Sequence, residues 1–130
     1  MDDRKFDLED RLIDFSALVI DVVDALPSTR VGNHIAGQLL RSGTAAAPEY
    51  GEAQGAESRR DFIHKLKIGL KELRETRVWL KLLKRKAITQ SVDVMDRALA
   101  ECEELTAIFA SSITTARKNL GKAGGISNHQ

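Results

Sequence analysis

From Leu8 onward, apolar residues fall at Leu8, Leu12, Phe15, Val19, Val22 and Leu26, alternating steps of four and three. A helix of 3.6 residues per turn gathers such positions on one face, so the spacing predicts a first helix over about residues 7–26. Pro27 ends it, and Ser28 or Thr29 behind it can cap the next helix. A connection this short makes the two helices antiparallel neighbours. The second helix is expected over about 29–53, with Val31, Ile35, Leu39 and Leu40 as its apolar residues. It then enters Ser42-Gly43-Thr44-Ala45-Ala46-Ala47, small side chains that let helix axes come close. Pro48 is expected to kink or interrupt this helix, and Gly51 to Gly55 to weaken it.

Ser58 followed by Asp61 has the form of a helix cap with an acid in the first turn. The third helix is therefore expected over about 58–86, with a seam of Phe62, Leu66, Gly69, Leu73, Thr76, Leu80 and Leu83. Lys84, Arg85 and Lys86 complement the negative end of its dipole. The fourth, over about 90–120, carries Val92, Met95, Leu99, Cys102, Thr106, Phe109, Ile113 and Ala116 on the same spacing, and Gly121 is expected to stop it. Residues 121–130 lack periodicity and read as a flexible tail. With no strand signal and no solenoid repeat, the pattern predicts an all-α fold: an antiparallel up-down four-helix bundle in one domain of residues 1–120.

Composition agrees with that picture. At 130 residues the chain can bury one modest core, and 42% hydrophobic residues, 30% charged residues and two prolines suit a helical globular protein. Cys102 stands alone, which rules out an internal disulfide, and the start MDDRKFDLED lacks the layout of a secretory signal, so a cytoplasmic location is expected. Apolar stretches are short and broken by charge, as by Asp21 within Ala17 to Val23, so no membrane partner is expected.

Charge changes the picture more. The formal net charge is only +1, yet residues 58–86 carry eleven Lys or Arg against three acids, while residues 1–26 carry three against eight. On the third helix Arg60, Lys67, Arg74 and Lys81 share one outward heptad position, Lys71 and Arg85 the adjacent one, and His64 lies on the same strip. Six cations along about 38 Å of helix can follow a phosphate backbone and release counterions. The competing reading is a solvated face, or one that meets Asp7, Asp10, Asp14, Asp21 and Asp24 of a neighbouring subunit. Ile13, Ile20 and Val23 widen the apolar arc of the first helix, which points to a homo-oligomer or to a wide internal stripe. Trp79, the single tryptophan, is placed with Ile13, Ile20 and Val23 at the subunit interface, against the alternative that it packs on Leu82 and Leu83.

Little points to catalysis. Asp61 and His64 are three apart, a spacing that metal-binding bundles use, but the two further inward carboxylates and the second histidine motif are missing. Cys102 sits on the apolar seam, where a thiol is inert. Glu101, Glu103 and Glu104 cluster, but consecutive helix positions point in different directions and suit solvent. No phosphate-cradling glycine loop, paired-cysteine zinc spacing or HExxH helix occurs. The expectation is no enzyme, no cofactor, no metal and no small-molecule substrate, with a metal-dependent helical enzyme as the weakest rival.

The segments Gly37-Gln38-Leu39-Leu40-Arg41-Ser42-Gly43-Thr44, Tyr50-Gly51-Glu52-Ala53, Glu57-Ser58-Arg59-Arg60-Asp61-Phe62-Ile63-His64-Lys65-Leu66 and Trp79-Leu80-Lys81-Leu82-Leu83 resemble, in order and spacing, the four-helix-bundle family of 23S rRNA intervening-sequence proteins. The resemblance covers about residues 8–118. It implies an antiparallel bundle assembling as a ring, commonly a pentamer, with relatives that include the accessory protein of diversity-generating retroelements, a basic pentamer that binds nucleic acid and its reverse transcriptase. The chain departs from the pattern at Glu49, where many relatives have asparagine, at the neighbouring Pro48, and in its mild net charge. The expected function is a non-enzymatic oligomer that binds structured RNA, or an RNA/DNA intermediate, through Arg60, Lys67, Lys71, Arg74, Lys81 and Arg85. The alternative is an adaptor for a reverse transcriptase or other polymerase that touches no nucleic acid.

Overall fold

The computed structural model describes residues 7–128, with side chains as far as Gly121. Five helices follow one another: α1 (Leu8–Asp24), α2 (Arg30–Gly43), α3 (Ala46–Gln54), α4 (Arg59–Lys86) and α5 (Val92–Asn128). α1 packs on α2, α3 and α5, and α4 packs on the same three. The five helices therefore make four rods, with α2 and α3 together serving as the second, and α1 and α4 stand at opposite corners. The all-α four-helix bundle expected from the periodicity is the fold observed.

Three helix starts are set by side chains that take up free backbone amides. Asp7 accepts from the Asp10 amide at 3.1 Å, Thr29 from Gly32 at 3.0 Å and Ser58 from Asp61 at 3.0 Å. Of the two hydroxyls offered after Pro27, Thr29 is the cap. α4 closes through Ala87 in the left-handed region (φ 51°), with the Ile88 amide donating to the Leu83 carbonyl at 3.3 Å, a Schellman-type ending.

The expected single helix over 29–53 is two helices. In a continuous helix the Pro48 ring would collide with the carbonyl four residues back, that of Thr44. The break falls there: Thr44 Oγ1 donates to the Leu40 carbonyl at 2.7 Å, and α3 restarts with the Glu49 amide donating to Ala45 at 3.2 Å. Pro48 then lies in the first turn of α3, where a missing amide proton costs nothing. The small residues around the break do bring helices close. A Cβ on Gly43 would stand 2.6 Å from Val19 Cγ1 on α1.

The core holds Leu12, Phe15, Leu39, Leu73, Leu80 and Phe109, each at most 1% exposed. The seams are shifted in detail. Val31, Leu40 and Val92 are exposed and Phe62, Leu99 and Thr106 half-buried, while Ile63, Leu70, Ala98 and Leu105 are buried. A rod flanked by two neighbours buries an arc wider than one seam, and the centre of that arc depends on where the neighbours lie.

The fourth predicted helix does not stop at Gly121. α5 continues to Asn128, because a glycine inside a helix costs about 1 kcal/mol without forbidding it. No described glycine has positive φ, so Gly121 does not make the left-handed turn that closes a helix. Residues 129 and 130 of the expected tail lie outside the described residues. No described helix is long and apolar enough to cross a membrane.

Candidate nucleic-acid interface

α4 is 28 residues long, about 42 Å at 1.5 Å per residue. One side of it is sunk between α5 and the α2/α3 rod, which dictates how its cations are used. Three of them are paired with neighbouring helices: Lys65 with Glu52 of α3 at 2.8 Å, Arg77 with Glu103 of α5 at 3.5 Å, and Lys84 with Asp96 of α5 at 3.4 Å. From α2, Arg41 pairs back onto Glu72 and Glu75 of α4. Arg60, Lys67, Lys71, Arg74, Lys81 and Arg85 are all exposed, and among the described residues none lies within 4.0 Å of a carboxylate. The six residues singled out in the sequence thus share one open face. His64 is exposed on the same face.

Read along the helix, that face has its own alternation of four and three: Arg60, His64, Lys67, Lys71, Arg74, Val78, Lys81 and Arg85. Val78 is the one member without a basic group. It is 58% exposed, and Leu82, one turn on, is 37% exposed. The basic face is therefore a run of five followed, after an apolar gap, by a pair.

Antiparallel packing of α5 on α4 adds a residue that sequence reasoning missed. Arg117 joins Arg60, Ile63, His64, Lys67 and Leu120 in lining a shallow groove of about 250 Å³. The floor is apolar and the rim is cationic, a form that suits a sugar-phosphate backbone. Arg117 directly follows Ala116, the last buried position of α5 among the described residues, but nothing in its spacing says which turn of α4 it will face.

The interface candidates on the other elements divide. Ile13 and Ile20 are exposed on α1, whereas Val23 and Trp79 are half-buried and packed against the bundle's own core. The Trp79 ring meets His34 of α2 edge-on at 6.1 Å between centroids, and its indole N–H donates to Glu75 at 3.1 Å. Part of the surface expected at Val23 and Trp79 is consumed inside the chain, Trp79 leaning toward the α2 rod.

Chemistry elsewhere is sparse. Asp61 closes the first turn of α4 and His64 lies in the cationic groove, and no group of three or more metal-binding side chains converges among the described residues. Burial pushes the Cys102 thiol up to about 12, and its Sγ donates to the Leu73 carbonyl at 3.2 Å.

A family model described as 23S rRNA-intervening sequence protein matches residues 4–111. A solved structure, described as a protein with unknown function from the S23 ribosomal protein family of Bacteroides thetaiotaomicron VPI-5482, is similar with a TM-score of 0.73 and 32% identity. The match covers 82% of this chain and 98% of that one. No curated protein matches the chain. Both findings span the four rods that carry the basic face, and the chain belongs to the 23S rRNA-intervening sequence protein family.

Proposed function

We propose that this protein is a non-enzymatic, self-associating helical bundle that binds structured RNA, or an RNA/DNA intermediate, through the outward face of α4. Arg60, Lys67, Lys71, Arg74, Lys81 and Arg85 contact phosphates, so binding is backbone-directed and weakly sequence-specific. The observation that carries this reading is the division of labour on α4: Lys65, Arg77 and Lys84 are paired with carboxylates of neighbouring helices, and these six have no carboxylate partner among the described residues. Self-association is supported by the exposed Ile13 and Ile20, and the family resemblance favours a ring, commonly a pentamer.

The test is a gel shift with a structured RNA at several salt concentrations. Lys67→Glu, Lys71→Glu and Arg74→Glu together should abolish the shift at moderate salt and flatten the salt dependence, by roughly 0.7 to 0.9 in slope per lost phosphate contact, with helicity unchanged. An unaltered affinity overturns the reading.

Exposed Val78 and Leu82 within the basic face favour a second reading, an adaptor that docks an acidic protein such as a polymerase subunit or reverse transcriptase. A pull-down that survives nuclease, with no gel shift by the purified protein, selects it.

A further inference from the structure

The apolar gap on α4 has a counterpart on α1. There Ile13 and Ile20 are 49% and 42% exposed and seven residues apart, about 10 Å along the helix and on one side of it. Asp10, Asp14, Asp21 and Asp24 flank them, all exposed and, among the described residues, without a cationic partner. Across the bundle, Val78 and Leu82 of α4 lie with Lys81 and Arg85 around a groove of about 300 Å³. The two surfaces are alike in build and opposite in charge.

Asp7 caps α1 and Asp10 lies in its first turn, where an acid is favoured, but nothing within α1 accounts for the later acids. Asp21 and Asp24 sit in the C-terminal part of the helix, whose last turn holds no basic residue, so both stand at the negative end of the dipole, where an acid is disfavoured. At the other end like charges crowd one another, and Asp7 above all raises the Asp10 carboxyl. Cations from outside the chain would relieve the C-terminal end. The open cations of α4 cannot reach these acids, because α1 and α4 occupy opposite corners of the bundle, and Arg97 of α5, which lines a groove with Asp14 and Asp21, forms an ion pair with neither.

We propose that the outward face of α1 in one copy docks on the C-terminal half of α4 in a second copy, Ile13 and Ile20 against Val78 and Leu82, with Asp14, Asp21 and Asp24 opposite Lys81 and Arg85. This rests on the self-association proposed above and names the surfaces that carry it. The apolar pairs form the centre of the contact and the charges its rim, which sets register and excludes like-charged pairings. Because the two faces differ, the contact is head-to-tail: each copy gives α1 to one neighbour and α4 to another, and the series closes into a ring or runs on. Docking narrows the phosphate-contacting set proposed above: it covers Lys81 and Arg85 and leaves Arg60, His64, Lys67, Lys71, Arg74 and Arg117 open to phosphate.

The experiment uses the full chain and measures mass by light scattering. One variant reverses the acids (Asp14→Lys, Asp21→Lys, Asp24→Lys), a second reverses the cations (Lys81→Glu, Arg85→Glu), and a third carries both sets. The wild type is expected at a multiple of 14.4 kDa. Each single-face variant should fall to one chain's mass with unchanged helicity, and an equimolar mixture of the two should assemble again beyond one chain's mass, since the α1 face of either variant is charge-matched to the α4 face of the other. The doubly reversed chain should reassemble. As a milder change, Ile20→Asn should raise the concentration at half-assembly at least tenfold. A wild type that stays a single chain, single-face variants that keep the wild-type mass, or a mixture that stays at one chain's mass overturns the proposal. Nucleic-acid binding is read separately in the gel shift of the Lys67, Lys71 and Arg74 variant, which leaves both docking faces intact.

Discussion

Thr76 of α4 and Ser42 of α2 are hydrogen-bonded through their hydroxyls at 2.9 Å, and neither side chain has any exposure. Thr76 Oγ1 also lies 2.8 Å from the Glu72 carbonyl of its own helix, so the small pair is satisfied inside an otherwise apolar centre. A buried hydroxyl left alone costs its full desolvation, whereas removing both partners is far cheaper. Thr76→Val should therefore destabilise the fold by about 1–3 kcal/mol, and Thr76→Val with Ser42→Ala by less than the sum of the two single changes. Urea unfolding midpoints of the three variants measure this, and strict additivity would show that the pair is not coupled.

Close helix approach sets a second expectation. An added Cβ would stand 2.6 Å from Val19 Cγ1 at Gly43 and 2.6 Å from Phe109 Cε2 at Gly69, but would meet nothing within 4 Å at Gly37. Gly43→Ala and Gly69→Ala should each cost about 1–3 kcal/mol by overpacking. Gly37→Ala, on the exposed side of α2, should instead stabilise by roughly 0.5–1 kcal/mol. Thermal melts separate the two outcomes, and Val19→Ala should recover part of the Gly43→Ala loss.

Ala87 adopts φ 51° and ψ 46° at the end of α4. That region strains an L-residue by roughly 1–2 kcal/mol, and glycine is the usual occupant of such a helix ending. Ala87→Gly should raise the unfolding free energy by up to about 1 kcal/mol, the greater freedom of glycine in the unfolded chain offsetting part of the gain. A lowered melting temperature would contradict the capping geometry.

Burial raises the Cys102 thiol from an ordinary value of 9.0 to about 12. The folded state holds this proton more tightly than the unfolded state does, so the contribution to stability is intact below about pH 8 and is lost as pH rises from 9 toward 12. A Cys102→Ala variant should lack that part of the alkaline decline. In the native protein at neutral pH, a disulfide reagent should label Cys102 only as fast as the fold opens, and burst labelling would refute its burial.

Much of this architecture was legible in one dimension. The four-three spacing of Leu12, Phe15, Val19 and Val22, the Thr29 and Ser58 caps, and the outward register of Lys67, Lys71 and Arg74 are all local, because a regular helix converts sequence position directly into angle. Two boundaries misled for the same local reason. Pro48 acts on the carbonyl of Thr44 rather than at its own position, and Gly121 is discouraged in a helix without being excluded from it.

By itself, then, the sequence determined the rods, their buried sides and the sorting of acid to α1 and base to α4, since each depends on a residue's angle within its own helix. Tertiary structure alone decided that Lys65, Arg77 and Lys84 are paired while Lys67, Lys71 and Arg74 stand open, and that Arg117 joins the basic groove. It also set the acidic and basic faces on opposite corners. Those facts turn on which helix lies beside which, a relation between angles on different rods that periodicity along one rod does not contain.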